Sequence, residues 1–293
     1  MRLKTDRKMD FALDVVFVLI CCTMVLPFLL LIAVSFSNEK DVMLHGYKLI
    51  PEHFDLTAYK FVFRNASTVI KAYVFTFITS ISSTFLGVIL MSLMAYPLSV
   101  RTYKFRRFFA LYLFVTMVFS GGMAAGYIVY TRYYHFRNSI WVFILPGCIS
   151  AWHVILIRTF FQGIPTEISE AAKIDGASHL RIFFEIVLPL SKPVLATVAL
   201  MQLLAHWNDW MTSMLYTTEP DMRTIQYLLQ QLMESVENIR QMQQAGVSVD
   251  LKNLPSETIR MAMAVVAAGP MIAIFPFFQK YFTKGITVGS VKG

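Results

Sequence analysis

Residues 206–210 (His-Trp-Asn-Asp-Trp) place two tryptophans beside an asparagine and an aspartate near the end of a long apolar run. Indole rings stack on the flat C–H faces of sugars, and amide and carboxylate groups exchange hydrogen bonds with sugar hydroxyls. An aromatic belt at the lipid headgroups, with the polar pair bridging helices, explains these residues equally well. For His153 we favour a hydrogen bond between helices over a sugar contact. The candidate sugar-pathway residues are Trp207, Asn208, Asp209, Trp210 and His153.

Patterns of enzymatic chemistry are missing from the sequence. No glycine is followed directly by lysine, so the phosphate-binding pattern G-x-x-x-x-G-K-[ST] is absent. The six histidines form no His-Glu-x-x-His pair, and no serine or cysteine lies in a recognisable nucleophile motif. We therefore predict that this chain has no catalytic residue, no metal site and no cofactor of its own.

A soluble-looking segment lies between two apolar runs, from Glu170 to Pro189. Pro165 suits a first helical turn and Gly176 a stop, which predicts roughly three turns of helix. Ser178 can cap a second short helix. An apolar ridge on this pair, small enough at its tip to enter a groove on another protein, is predicted from Ala171, Ala172, Ile174, Ala177, Leu180 and Phe183. The segment therefore predicts a helix–turn–helix docking element.

Seven positions of this segment resemble the EAA loop of binding-protein-dependent ABC importer permeases, whose pattern is E-A-A-x3-G-x9-I-x-L-P. In such permeases the loop is cytoplasmic and docks into a cleft on the ATP-hydrolysing subunit, and the resemblance implies the same role here. The residues to which it assigns ATPase coupling are Glu170, Ala171, Ala172, Asp175, Gly176, Leu180, Ile186, Leu188 and Pro189.

The last sixteen residues resemble the ending of carbohydrate-type permeases. This likeness implies contact between the ATPase and Gly289, Lys292 and Gly293. Together with residues 207–210 and the paired glycines 121–122, it implies the subgroup that handles oligosaccharides or polysaccharide fragments. That subgroup usually has a proline shortly after the paired glycines, whereas residues 124–125 here are both alanine. The shape of the chain at this point is therefore left open.

The composition is that of a membrane protein. Of the 293 residues, 56% are hydrophobic and 15% are charged, against about 25% charged in soluble domains. The net charge of +8 comes from basic residues beside apolar runs, which indicates membrane orientation and argues against nucleic-acid binding. The three cysteines lie within apolar runs, so they predict neither disulfides nor a zinc site.

Six stretches are long and apolar enough to cross a bilayer, which takes about 20 residues. We predict a single all-α transmembrane domain over residues 1–293, with one coupling loop at 163–189 between spans four and five. The predicted spans are residues 12–36, 72–100, 107–130, 139–160, 186–214 and 259–282. The predicted extracytoplasmic loops are residues 37–71, 131–138 and 215–257.

Basic residues set the predicted orientation. Lysine and arginine are concentrated at the N-terminus, in residues 101–107 and in the C-terminal tail, and such flanks face the cytoplasm. Both termini and the EAA loop are then cytoplasmic. The basic N-terminus lacks an evident cleavage site before the first span, which favours a retained signal anchor.

These patterns and the resemblance together predict a permease subunit of an ABC importer for a sugar oligomer in a prokaryotic cytoplasmic membrane. The implied partners are a second homologous permease, two ATPase subunits that hold ATP and magnesium, and an extracytoplasmic sugar-binding protein. A permease for another solute, such as an amino acid or polyamine, is the first alternative. An ion-coupled secondary carrier is the second, but it should show buried charged relays and inverted repeats. Neither is apparent in the sequence.

Overall fold

The computed structural model describes residues 7–244 and 257–289, and that part is helical apart from one isolated β-bridge. The predicted all-α class is therefore confirmed. The helices up to the third predicted span are α1 (Arg7–Ser35), α2 (Glu39–His45), α3 (Thr57–Val62), α4 (Ala66–Ser99), α5 (Arg106–Val118) and α6 (Gly122–Ile128). Those that follow are α7 (Trp141–Ile144), α8 (Ala151–Gln162), α9 (Thr166–Ile174), α10 (His179–Ile182), α11 (Leu188–Leu190), α12 (Lys192–Trp207), α13 (Met211–Tyr216), α14 (Ile225–Gln244) and α15 (Glu257–Gly289).

Three described helices are long and apolar enough to cross a membrane, namely Leu13–Ser35, Ala66–Ser99 and Glu257–Gln279. Two bent pairs raise the number to five if each pair forms one span. The pair Arg106–Val118 and Gly122–Tyr133 bends by 109°, and the pair His179–Leu190 and Lys192–Trp207 bends by 78°. The described residues thus contain three to five candidate spans, and the count of six stays a prediction.

The fourth predicted span, residues 139–160, is interrupted. Helix α7 ends at Ile144 and α8 begins at Ala151, because Pro146 lacks a backbone donor and Gly147 has a left-handed φ of +78°. Side chains from other helices bind the backbone carbonyls of this break. Ser83 Oγ donates to the Ile144 carbonyl at 2.9 Å, and Gln202 Nε2 donates to the Gly147 carbonyl at 2.6 Å. One continuous helix was therefore the wrong prediction here.

Two other predicted spans are also broken. The third bends after Val118, where Phe119 is extended and Gly122 has a φ of +78°. The shape of the chain near the paired glycines, which the missing proline left open, is therefore a sharp bend. In the fifth, α11 and α12 are separated at Ser191, and α12 ends at Trp207 before α13 begins. A hydropathy pattern detects apolar length but not these interruptions.

The described residues separate into two compact units, one from Met1–Val69 and Leu229–Gly269, the other from Ile70–Leu228 and Pro270–Gly293. In the first, the segment after α1 folds back through a bridge between Ser37 and Phe54. The Glu39 carboxylate accepts from the first two backbone N–H groups of α15, at 3.1 and 3.0 Å, and so satisfies donors that the helix leaves free. Burial raises the pKa of Tyr47, and its hydrogen bond to Glu257 acts in the same direction.

In the second unit, α4 presents a buried face of small hydroxyl residues, including Thr76, Ser80 and Ser83. Gly87 continues this face, and a Cβ there would lie 2.3 Å from the backbone oxygen of Cys148. Small side chains therefore allow α4 to approach the break after α7 closely. Towards the other end of α4, Met91, Ala95 and Leu98 join a core formed with α8, α10 and α12.

Candidate functional site

Residues 163–189, the predicted coupling loop, form a helix–turn–helix. Pro165 immediately precedes α9, and Glu167 lies in its first turn, where an acidic side chain is favourable. Gly176 has a φ of +78°, and the Ala177 N–H donates to the Ala172 carbonyl at 2.9 Å. These features close the helix in the way expected of a C-terminal glycine. The predicted stop at Gly176 is confirmed.

The second helix of the loop begins as predicted. Ser178 Oγ accepts a hydrogen bond from the Arg181 N–H at 3.3 Å and caps α10. The chain then makes one turn of π-helix, Phe183–Val187, before α11. Ile186 lies in this π-turn, and Leu188 and Pro189 lie in α11.

The apolar side chains of the coupling loop divide into an outward set and an inward set. Ile174 is 87% exposed and Leu180 is 65% exposed, on either side of the turn. Ala172 and Ala177 instead pack against the core of the second unit.

The other predicted coupling residues differ in exposure. Glu170, Ala171, Asp175 and Pro189 are exposed, whereas Ile186 and Leu188 are half-buried in the same core. Phe183, predicted for the outward ridge, is buried, because the π-turn directs it into the core.

Beside α9 lies a cavity of about 560 Å³ with both polar and apolar residues in its lining. Its charged residues are Arg101, Arg106, Glu170 and Lys173. Arg158 Nε donates to the Leu98 carbonyl at 3.1 Å, which joins α8 to the last turn of α4 next to this cavity. The coupling loop is thus supported by the ends of two longer helices.

The proposed ATPase contacts at the tail fall at the limit of the described chain. Gly289 is the last residue of α15. Lys292 and Gly293 lie outside the described residues, as do residues 245–256 of the predicted outer loop 215–257.

The structure does not bring the candidate sugar residues to one surface. Trp207 is 1% exposed, and its ring centroid lies 6.2 Å from that of Tyr73. Asp209 accepts from the backbone N–H of Thr212 at 3.0 Å and from its hydroxyl at 2.5 Å, so it caps the start of α13. Asn208 is exposed and accepts from Gln226 Nε2 at 3.2 Å, while Trp210 is half-buried. Trp207 and Asp209 therefore occupy structural positions.

A polar cluster links α4, α12 and the break after α7. Ser83 Oγ, which donates to the Ile144 carbonyl, also lies 2.8 Å from His206 Nε2. Gln202 Nε2 also donates to the Cys148 carbonyl at 3.2 Å. We predicted hydrogen bonding between helices for His153. Ser83 and Gln202 make such bonds here. Within the described chain His153 Nδ1 has no hydrogen-bond partner.

A row of aromatic rings that was not predicted from the sequence surrounds the turn at residues 131–138. Ring centroids are 5.5 Å apart for Tyr127 and Tyr216, 6.0 Å for Tyr216 and Tyr130, 6.3 Å for Tyr130 and Tyr134, and 5.5 Å for Tyr134 and Phe136. We call these five residues the aromatic ladder. Spacings of three and four between Tyr127, Tyr130 and Tyr134 were the available signal, since such residues share a helix face.

A family model described as "Binding-protein-dependent transport system inner membrane component" matches residues 5–288 of this chain. The chain is 38% identical over 283 residues to the polygalacturonan/rhamnogalacturonan transport system permease protein YtcP of Bacillus subtilis, covering 94% of each chain. It is 29% identical to the arabinooligosaccharides transport system permease protein AraQ of Halalkalibacterium halodurans over 100% of both chains.

The fold is also similar to that of a solved structure. A chain from the crystal structure of a bacterial ABC transporter involved in the import of the acidic polysaccharide alginate matches with a TM-score of 0.80. The match covers 96% of this chain and 99% of the other at 24% sequence identity. At that identity it supports the architecture.

Proposed function

The chain belongs to the family of binding-protein-dependent transport system inner membrane components, and we propose that it is the permease subunit of an ABC importer for a sugar oligomer. The observation that carries the proposal is the coupling loop, a capped helix–turn–helix that exposes Ile174 and Leu180 while Ala172 and Ala177 pack against the core. An exposed apolar ridge on a firmly packed base is suited to docking in a groove of another protein.

The sugar class is supported by the relatives. YtcP and AraQ are named for transport of polygalacturonan or rhamnogalacturonan and of arabinooligosaccharides, respectively. A permease for an amino acid or polyamine is not favoured by these names. We assign the present chain an oligosaccharide, with a galacturonate-containing chain as the first candidate because YtcP has the higher identity of the two.

We further assign the chain four kinds of partner: a second permease subunit, two ATPase subunits that hold ATP and magnesium, an extracytoplasmic binding protein and the bilayer. Basic residues 101–107 and the coupling loop would face the cytoplasm, and residues 131–138 the outside. Two facts support this arrangement. Arg101 and Arg106 line the cavity beside α9, and basic flanks remain on the cytoplasmic side of spans.

The proposed mechanism is alternating access. ATP would close the ATPase dimer and draw the coupling loops together, and hydrolysis would separate them again. In this chain the loop shares one apolar core with α4, α8 and α12. Close-packed cores transmit displacement with little internal compression. A movement of the loop would therefore move the ends of these helices and change the access of the pathway between the two sides of the membrane.

The proposal is tested with the complete importer in proteoliposomes, together with its cognate binding protein. We expect uptake of labelled galacturonate oligomers or arabino-oligomers that requires both ATP and the binding protein. Uptake of an amino acid or polyamine in place of every sugar oligomer would contradict the sugar assignment.

Coupling is tested in the same preparation with Leu180→Ser, which should abolish most stimulation of ATP hydrolysis by the loaded binding protein. Leu49→Ser is the matched control, because Leu49 is likewise an exposed leucine, at 50%, but lies in the first unit. Equal stimulation in both variants would contradict a contribution of Leu180 to the ATPase interface.

A further inference from the structure

The aromatic ladder runs from the interior of the second unit to its surface. Tyr216 is 8% exposed and packs with Val142 and Phe143, Tyr127 and Tyr130 are half-buried, and Tyr134 is 58% exposed. Each ring touches the next at a centroid distance of 5.5–6.3 Å. The five rings are therefore in continuous contact, with Tyr216 the most buried, Tyr134 the most exposed, and Phe136 half-buried beside Tyr134.

The backbone under the ladder is held in place. Residues Val129–Tyr133 form a π-helical turn, a feature that is frequent at functional sites. Asn138, with a φ of +53°, donates through Nδ2 to the Thr218 hydroxyl at 2.9 Å and accepts from the Thr218 N–H at 2.8 Å. Its own N–H donates to the Tyr216 carbonyl at 3.0 Å. These bonds join the segment that ends at Asn138 to the segment that contains Tyr216. The two segments that supply the ladder are thus held together, and the rings are preorganised.

We propose that the aromatic ladder is a stacking subsite for the sugar chain, with Tyr134 as its most exposed ring. This inference rests on the proposed function and its orientation. A sugar oligomer presents an apolar C–H face at successive residues, and a row of rings matches such a repeating ligand. Among the described residues, the hydroxyls of Tyr130 and Tyr134 have no hydrogen-bond partner, so they are free to bond sugar hydroxyls.

Two features favour a sugar chain over lipid headgroups as the occupant. Belt residues meet headgroups individually at one depth, whereas these rings contact one another from a buried to an exposed position. Trp207, the alternative stacking residue, is 1% exposed and cannot offer its ring to a ligand without unpacking. The ladder thus offers the ring of Tyr134 at the surface, whereas the ring of Trp207 is covered.

The test compares Tyr134→Ala, Tyr134→Phe and Tyr133→Ala in the assembled importer. Tyr133 is the matched control, since it is 74% exposed and belongs to no ring contact within the described residues. Transport per ATP hydrolysed is measured with saturating binding protein for galacturonate oligomers of increasing length, and with arabino-oligomers if the wild type prefers them. We expect Tyr134→Ala to lower transport of the longer oligomers by about two- to tenfold relative to the dimer. Phe should restore most of it, and Tyr133→Ala should match the wild type.

Each other outcome has a separate meaning. Equal losses at all lengths with lower membrane abundance would overturn the proposal in favour of lipid anchoring. Loss of ATPase stimulation by the binding protein would overturn it in favour of a protein contact, and unchanged transport in every variant would also overturn it. If the wild type imported no sugar oligomer, the proposed function would be refuted. If the wild type imported them and the variants did so equally well, only the stacking subsite would be refuted.

Discussion

Gly176 has the left-handed backbone conformation, φ +78°, that ends α9 and turns the chain into α10. A side chain there meets no neighbouring atom within 4 Å, so the restriction is conformational and not steric. A non-glycine residue in this conformation costs roughly 1–2 kcal/mol. Because the turn separates Ile174 from Leu180, its geometry sets the shape of the proposed docking ridge.

We expect Gly176→Ala to reduce ATPase stimulation by the loaded binding protein severalfold, since the strained turn relaxes and shifts α10. Gly269→Ala is the control, because a Cβ at Gly269 also meets nothing within 4 Å and its φ is not positive. Stimulated hydrolysis measured on purified complexes distinguishes the two. Equal activity in both variants would contradict a role for the left-handed turn.

Trp207 illustrates a residue whose type suggested one role and whose burial indicates another. Its side chain is among the largest fully buried ones in the described chain. Truncating a buried tryptophan to alanine costs about 3–5 kcal/mol. We expect Trp207→Ala to lower the thermal stability and membrane abundance of the importer, with uptake falling in proportion.

For comparison, Trp210→Ala removes a half-buried ring and should have a smaller effect on stability. Unfolding temperature and uptake per assembled complex are the two measurements. A stable Trp207→Ala complex with selectively impaired sugar uptake would instead indicate that Trp207 contributes to the sugar pathway.

At the scale of elements, the break between α7 and α8 is stabilised by side chains from α4 and α12. Carbonyls released from helical bonding in a membrane must find other donors, because lipid supplies none. Ser83 and Gln202 provide them, and Gly87 makes the close approach of α4 possible. The break is therefore a built feature that depends on three separate segments.

Replacing Gln202 by leucine should destabilise the second unit by about 1–3 kcal/mol, because the Gly147 and Cys148 carbonyls lose their donor. Gln241→Leu is the control, since Gln241 is exposed on α14. Thermal unfolding of the purified complex measures both. If Gln202→Leu were as stable as the control, the carbonyls would have to be satisfied by another group, such as water.

At the scale of the whole molecule, the proposed orientation places the coupling loop and the aromatic ladder on opposite sides of the membrane. Cys21, Cys22 and Cys148 can be replaced by serine, and single cysteines introduced as Ile174→Cys or Tyr133→Cys. Both positions are highly exposed in this chain. We expect a membrane-impermeant thiol reagent to label position 174 only in inside-out vesicles and position 133 only in right-side-out vesicles.

Labelling of both positions from the same side would overturn the proposed topology. Protection of position 174 on addition of the ATPase subunits would in turn support docking at the coupling loop. Neither measurement depends on knowing the sugar.

The sequence by itself determined the parts of this protein that depend on local chemistry. Pro165, Gly176 and Ser178 act within one helical turn, so the coupling helix–turn–helix was predictable from residue types and spacing. Apolar length, likewise a local property, indicated a membrane protein. Only the tertiary structure decided where the long apolar runs break and which aromatic rings are covered.

The physical reason is that burial depends on residues far apart in the chain. Tyr127 meets Tyr216 across 88 intervening positions, and Ser83 meets His206 across 122. Trp207 and Tyr134 are both aromatic, yet packing buried the first against Tyr73 and left the second at the surface. Local spacing indicates which side chains share a helix face, but contacts between distant segments decide which of them are covered.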